Sequence, residues 1–115
     1  MTIYLAKTLE NMKKYGPIFD LSMEPSERVA EYTFGEEENE WFLSEHVDNI
    51  NAICDTMLDD GDVDFFDINA CRKLIVYLKG IDEKKILPTC VKVYETLMKC
   101  AQKAISYQTG IEIEL

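Results

Sequence analysis

Basic residues are almost missing from the middle of this sequence, and so is every motif that would name a reaction. Between Asp20 and Asp67 a single cation, Arg28, stands against sixteen carboxylates. No GxSxG, no HExxH and no phosphate-cradling glycine loop occurs, which removes the usual signatures of hydrolases, zinc proteases and nucleotide binders. No apolar run approaches the roughly 20 residues that a membrane-spanning helix needs. Lys7, Glu10, Lys13 and Lys14 break up the opening MTIYLAKTLENMKKYG, so it lacks the apolar centre of a signal peptide. The expectation is a cytoplasmic protein. Only three prolines and five glycines occur in 115 residues that are 47% apolar, which predicts one compact globular domain over residues 1–115.

Histidine is as scarce as cation. His46 is the only one, it lies in the acid-rich stretch, and it is expected to be exposed. Cys54, Cys71, Cys90 and Cys100 include no CxxC pair, so a zinc site has no signature. With no secretion signal, and each cysteine on the apolar side of an expected helix, they read as buried, reduced core residues. The segment LDDGDVDFFD, residues 58–67, looks like part of a calcium loop, with Asp60-Gly61 at positions five and six and Asp67 at twelve. Positions one and three would then be Thr56 and Leu58, which offer no carboxylate. Neither a metal nor a cofactor is expected.

The apolar spacing predicts the elements. Ile3, Leu5, Leu9 and Met12 suggest an amphipathic helix over 2–15, ended by Gly16-Pro17. RVAEYTF reads as a strand, Gly35 and EEENE as a hairpin loop, and Trp41-Phe42-Leu43 as a second short strand. Ser44 would cap a helix from Glu45 to Leu58 with a stripe of Val47, Ile50, Cys54 and Met57. Asp59-Asp60-Gly61 would stop it, with Gly61 left-handed. VDFF follows as a strand. Asp67 then caps a helix from Ile68 to Lys79, with Cys71, Leu74, Ile75 and Leu78 inward, and Gly80 ends it. The longest helix is expected from Asp82 to Tyr107, with Pro88 in its first turn or at a kink. IEIEL alternates as a half-buried terminal strand pairing with VDFF or RVAEYTF. The fold class is α+β: about four helices packed on a small sheet of three to four short strands.

Net charge is −10, and its distribution argues about partners more than about chemistry. Nucleic acid is disfavoured, because phosphate contacts need cations. The eight basic residues between 68 and 107 are expected on the solvated faces of two helices. If 28–43 and 59–67 lie in one sheet region, their acids gather on one side. The expected binding face comprises Tyr32, Glu36, Glu37, Glu38, Glu40, Trp41, Asp59, Asp60, Asp62 and Asp64, with acids steering a basic protein partner and aromatics anchoring it. No catalytic residue is expected. An enzyme would need a site assembled from unpatterned residues. An adaptor docking through the amphipathic 82–107 helix is the alternative.

In size, charge and α+β plan the whole chain resembles the immunity proteins of bacterial toxin–immunity pairs, especially those of contact-dependent growth inhibition. The segment from LDDGDVDFF through ISYQTGIEIEL carries the resemblance furthest. It implies a non-enzymatic inhibitor that covers a basic toxin, such as a nuclease, with its acids standing in for the phosphates of nucleic acid.

Overall fold

Residues 3–6, Ile-Tyr-Leu-Ala, form an apolar run too short for a helix of their own and rich in β-formers. In the computed structural model, which describes all of residues 1–115, they lie in strand β1 (Thr2–Ala6), and all four are buried. Ile3 and Leu5 point into one core and Tyr4 and Ala6 into another. A strand with no solvent face must be central. β1 pairs antiparallel with β4 (Val29–Thr33) on one side and with β6 (Ile111–Glu114) on the other, and β6 pairs with β5 (Val63–Phe66). The order is β4-β1-β6-β5. The helix expected over 2–15 is therefore a strand followed by turns. Its i, i+2 apolar pair, Ile3 and Leu5, was strand alternation in a sheet covered on both faces.

Residues 7–28 supply the second cover. Lys14–Tyr15 (β2) and Ile18–Phe19 (β3) pair across the two-residue loop Gly16-Pro17. Gly16 has φ +59°, the conformation a tight hairpin demands and glycine takes at little cost. This hairpin and its flanks bring Met12 and Leu21 onto Tyr4, Ala6 and Val29, with Leu9, Phe19 and Phe65 at the edge.

Helices close the other face. α4 (Val91–Tyr107) lies across β1 and β6, and α3 (Ile68–Lys79) packs on α4 and on α2 (Val47–Cys54). The Asp67 carboxylate accepts from the Ala70 amide and caps α3 as the sequence predicts. Cys71, Leu74 and Leu78 face inward, and Gly80 follows the last turn. The expected helix over 82–107 breaks into 3-10 turns at Glu83–Lys85 and Pro88–Cys90 before α4 begins. Pro88 opens the second of these turns, where its missing N–H costs nothing. The sequence's architecture stands: four helices on a four-stranded antiparallel sheet, a long C-terminal helix, then a terminal strand.

Two local expectations fail. Residues 41–43 belong to α1 (Glu36–Glu45), not to a strand, and EEENE is its first turn and a half rather than a hairpin loop. Three glutamates at the positive end of a helix dipole favour the helix that the β-propensity of Trp41 and Phe42 argued against. Ser44 lies inside α1. The chain breaks at His46, and α2 runs only to Cys54. Asp55 there turns left-handed at φ +62°, and Asn51 bonds the main chain of Leu58 and the hydroxyl of Thr56, so 55–58 forms a turn. Met57, expected in the stripe, is 84% exposed.

Gly110 immediately precedes β6, beside the end of its neighbour β5. A Cβ there would lie 2.4 Å from the Phe65 ring and 2.5 Å from the Phe66 carbonyl oxygen. The ring can rotate away, but the carbonyl belongs to the β5 backbone. Gly110→Ala is expected to destabilise the fold by about 2 kcal/mol or more, read as a lowered urea midpoint with little change in slope.

Candidate functional site

The strand register decides where the acids go. Thr33, Thr2, Glu114 and Val63 lie in one row across the sheet, at the same end of all four strands. The chain just after Thr33 and the chain just before Val63 therefore leave the sheet at the same end, from its two opposite edges. The first is the start of α1, and the second is the acidic turn Asp59–Asp62. Glu36, Glu37, Glu40 and Asp60 meet there around an open cleft of about 620 Å³, which Asn39 and Leu43 complete. No basic residue lines it. The one ion pair in the molecule, Arg28 with Glu24 at 3.6 Å, lies elsewhere.

The remaining acids of the expected face divide by what holds them. Glu38 folds back toward Gly35, the uncapped start of α1. Asp59 accepts from the Asp60 amide, and Asp64 accepts from the amides of Met57 and Phe65. Both serve the local backbone. Asp62 is exposed beside the cleft, where its carbonyl accepts from the Leu115 amide. Glu37 also accepts the Thr89 hydroxyl at 2.9 Å, which ties α1 to the turn before α4. Asn39 Oδ1 is buried with no hydrogen-bond partner.

The two aromatics do not join them. Trp41 is 5% exposed and belongs to the main core, its ring edge-on to His46 at 4.5 Å. An indole next to a run of acids can be an anchor or a core residue, and the helical phase of α1 turns this one inward. Tyr32 faces the helices from the edge strand, with the Lys99 ammonium 5.1 Å from its ring centre. The cleft's apolar contact is Leu43 instead. His46, expected in solvent, lies half-buried between Trp41 and Tyr77, with Nδ1 2.7 Å from the Tyr77 hydroxyl. Burial lowers its pKa, with the Glu45 carboxylate opposing.

The residue that periodicity misplaced most is Glu112. Alternation in IEIEL assigns it to solvent, yet it is 3% exposed. It stands on β6 between Tyr4 and Phe65, under the cover of residues 7–28. One oxygen, Oε2, accepts from the Leu21 amide at 3.2 Å. Burial raises its pKa to about 7, with Asp20, Glu114 and Asp64 adding to the rise and the Leu21 amide opposing it. The unbroken apolar run of residues 3–6 was the available signal, because it demands cover on both faces of the sheet.

The four cysteines are free and buried. Burial pushes the thiol of Cys71 up to about 12, and those of Cys54 and Cys100 up to about 11. They are held as thiols, not thiolates. No group of three or more histidine, cysteine and acidic side chains is arranged to hold a metal ion. No helix is long and apolar enough to cross a membrane. No family model, curated protein or solved structure matches the chain.

Glu112 makes stability depend on pH with a definite sign. Its folded pKa of about 7 lies above the ordinary value of 4.5, so the neutral form suits the fold. That contribution is complete below the ordinary pKa and is lost as pH rises through about 7. The whole loss is on the order of 3 kcal/mol. Glu112→Gln keeps the shape and the acceptor for Leu21 without the charge. Its melting temperature relative to the parent is expected to rise steadily from pH 5 to pH 8. A constant difference over that range would mean that Glu112 titrates as a solvated acid.

Proposed function

We propose that this protein is a non-enzymatic, inhibitor-type binding protein of the immunity class, which neutralises a basic toxin domain such as a nuclease in the cytoplasm. The observation that supports this reading is the cleft of Glu36, Glu37, Glu40 and Asp60. Four carboxylates converge from two distant segments with no internal cation to answer them. Such a concentration of one sign attracts a cationic partner and raises its rate of encounter. The cleft steers the encounter and fixes the register, and Leu43 gives an apolar contact. On a nuclease, these carboxylates would occupy the positions of the substrate's phosphates.

The groups that most often carry catalysis are poorly placed for it. The thiols are buried and protonated, and His46 is walled in by two aromatic rings. The apolar stripe of α4 is spent against α3 and the sheet, so the face that helix leaves in solvent is mostly polar, which does not favour an adaptor's apolar docking.

Replacing Glu36, Glu37, Glu40 and Asp60 together by lysine tests the reading. A basic protein captured from the source cell's lysate is expected to lose at least about tenfold in association rate to this variant. Adding the parent protein, but not the variant, is expected to abolish that partner's toxic activity. Capture and neutralisation that survive the reversal at unchanged salt dependence would remove the acidic cleft from function.

A further inference from the structure

A second cavity, of about 430 Å³, opens between the β2–β3 hairpin and the back of the sheet, with Glu112 in its lining. It shares no lining residue with the α1 cleft, so it stands or falls separately from that reading. Its lining mixes polar residues with apolar ones that are unusually exposed. Tyr15, Ile18, Met23 and Val63 all line it, and they are four of the nine large apolar side chains that the molecule leaves in solvent, with Met23 85% exposed.

Beneath this collar the polar atoms are mostly engaged. Asp20 accepts from the amide and hydroxyl of Ser22, and Asp64 from the amides of Met57 and Phe65. Lys13, the only cation in the lining, sits 5.0 Å from the centre of the Tyr15 ring and makes no ion pair. Glu112 is different. It is almost fully buried, Leu21 satisfies only Oε2, and Oε1 has no hydrogen-bond partner. Glu114, exposed on the same strand, is equally unengaged.

We infer that this cavity receives one alkyl-chained cation, the side chain of a lysine or arginine presented by a partner protein. The stem lies along Ile18 and Val63, and the charged head reaches the free oxygen of Glu112 with Glu114 at the rim. An apolar collar over a buried carboxylate complements the two halves of such a side chain. A metal ion suits the cavity less well, because the carboxylates are not gathered around one point. The Ser22 hydroxyl in the lining donates to Asp20 and not to Glu112, so the two are not paired as base and nucleophile.

The probes are Nα-acetyl-lysine methylamide and Nα-acetyl-arginine methylamide, titrated into the 15N-labelled full chain at pH 8. Nα-acetyl-norleucine methylamide supplies the stem without the charge, and spermidine the charge without the side-chain context. Saturable shifts are expected at the amides of Leu21, Glu112 and Ile113 with millimolar affinity for either cationic amide, and none with the norleucine compound. Glu112→Gln is expected to weaken binding at least tenfold, while Glu37→Lys with Glu40→Lys leaves it unchanged. The groups facing Glu112 are Asp20, Asp64, Glu114, Lys13 and Tyr4. Among them Glu112 is the one raised to about 7, so moving from pH 8 to pH 6 is expected to weaken binding about tenfold. Three results would overturn the assignment: no saturation at millimolar probe, equal shifts from the norleucine compound, or indifference to Glu112→Gln in a variant that melts as the parent does. Saturation by spermidine alone would equally overturn it, in favour of a free polyamine.

Discussion

β1 and β6 come from segments more than a hundred residues apart, and their pairing, Ile3 on Ile113 and Leu5 on Ile111, joins everything else. Both strands are buried on both faces, so the sheet needs two layers of cover. α3 and α4 provide one, and residues 7–28 provide the other. Further hydrogen bonds lock the same junction, from the Ala6 amide to the Gly110 carbonyl and from the Thr109 hydroxyl to the Ala6 carbonyl. Gly110 lies at the same junction, close against the backbone of Phe66 on the other neighbour of β6.

This sheet also determines the electrostatics. Its register sets the start of α1 and the Asp59–Asp62 turn at one end, and that concentrates charge which the sequence merely contains. The acids then sort by task. Asp20, Asp59, Asp64 and Asp67 bond backbone amides and hold turns or a helix start. Glu36, Glu40 and Asp60 have no such duty. A carboxylate that stabilises a turn is fixed in place, whereas one without an internal partner is open to an external cation.

Much of this is legible in the sequence. The VDFF strand, the Asp67 cap, α3, the inward residues of α4 and the terminal strand all come from spacing and capping, because each is a local pattern whose tertiary setting agrees with it. The errors have two causes. Residues 3–6 and Glu112 depend on whether the sheet has one covered face or two, and alternation reports polarity without reporting cover. Trp41 and Phe42 have strand propensity, but three glutamates at a helix start and the packing of α1 on α2 outweigh it. Of the acidic site, the residue types were readable, and the convergence of Glu36, Glu37 and Glu40 with Asp60 was not. It rests on strand register, which no local window contains.

The position of β6 between β1 and β5 also orders events in time. As the chain leaves the ribosome, β1 and β4 can form a two-stranded pair, and α3 and α4 can pack together, but β5 has no neighbour until residues 111–114 emerge. Until then β1 offers an open edge with apolar side chains on both faces, the kind of surface that pairs with other nascent chains. Residues 111–114 thus turn two incomplete pieces into one sheet. A chain stopped short of them would be an aggregation-prone species rather than a slightly weakened version of the same protein.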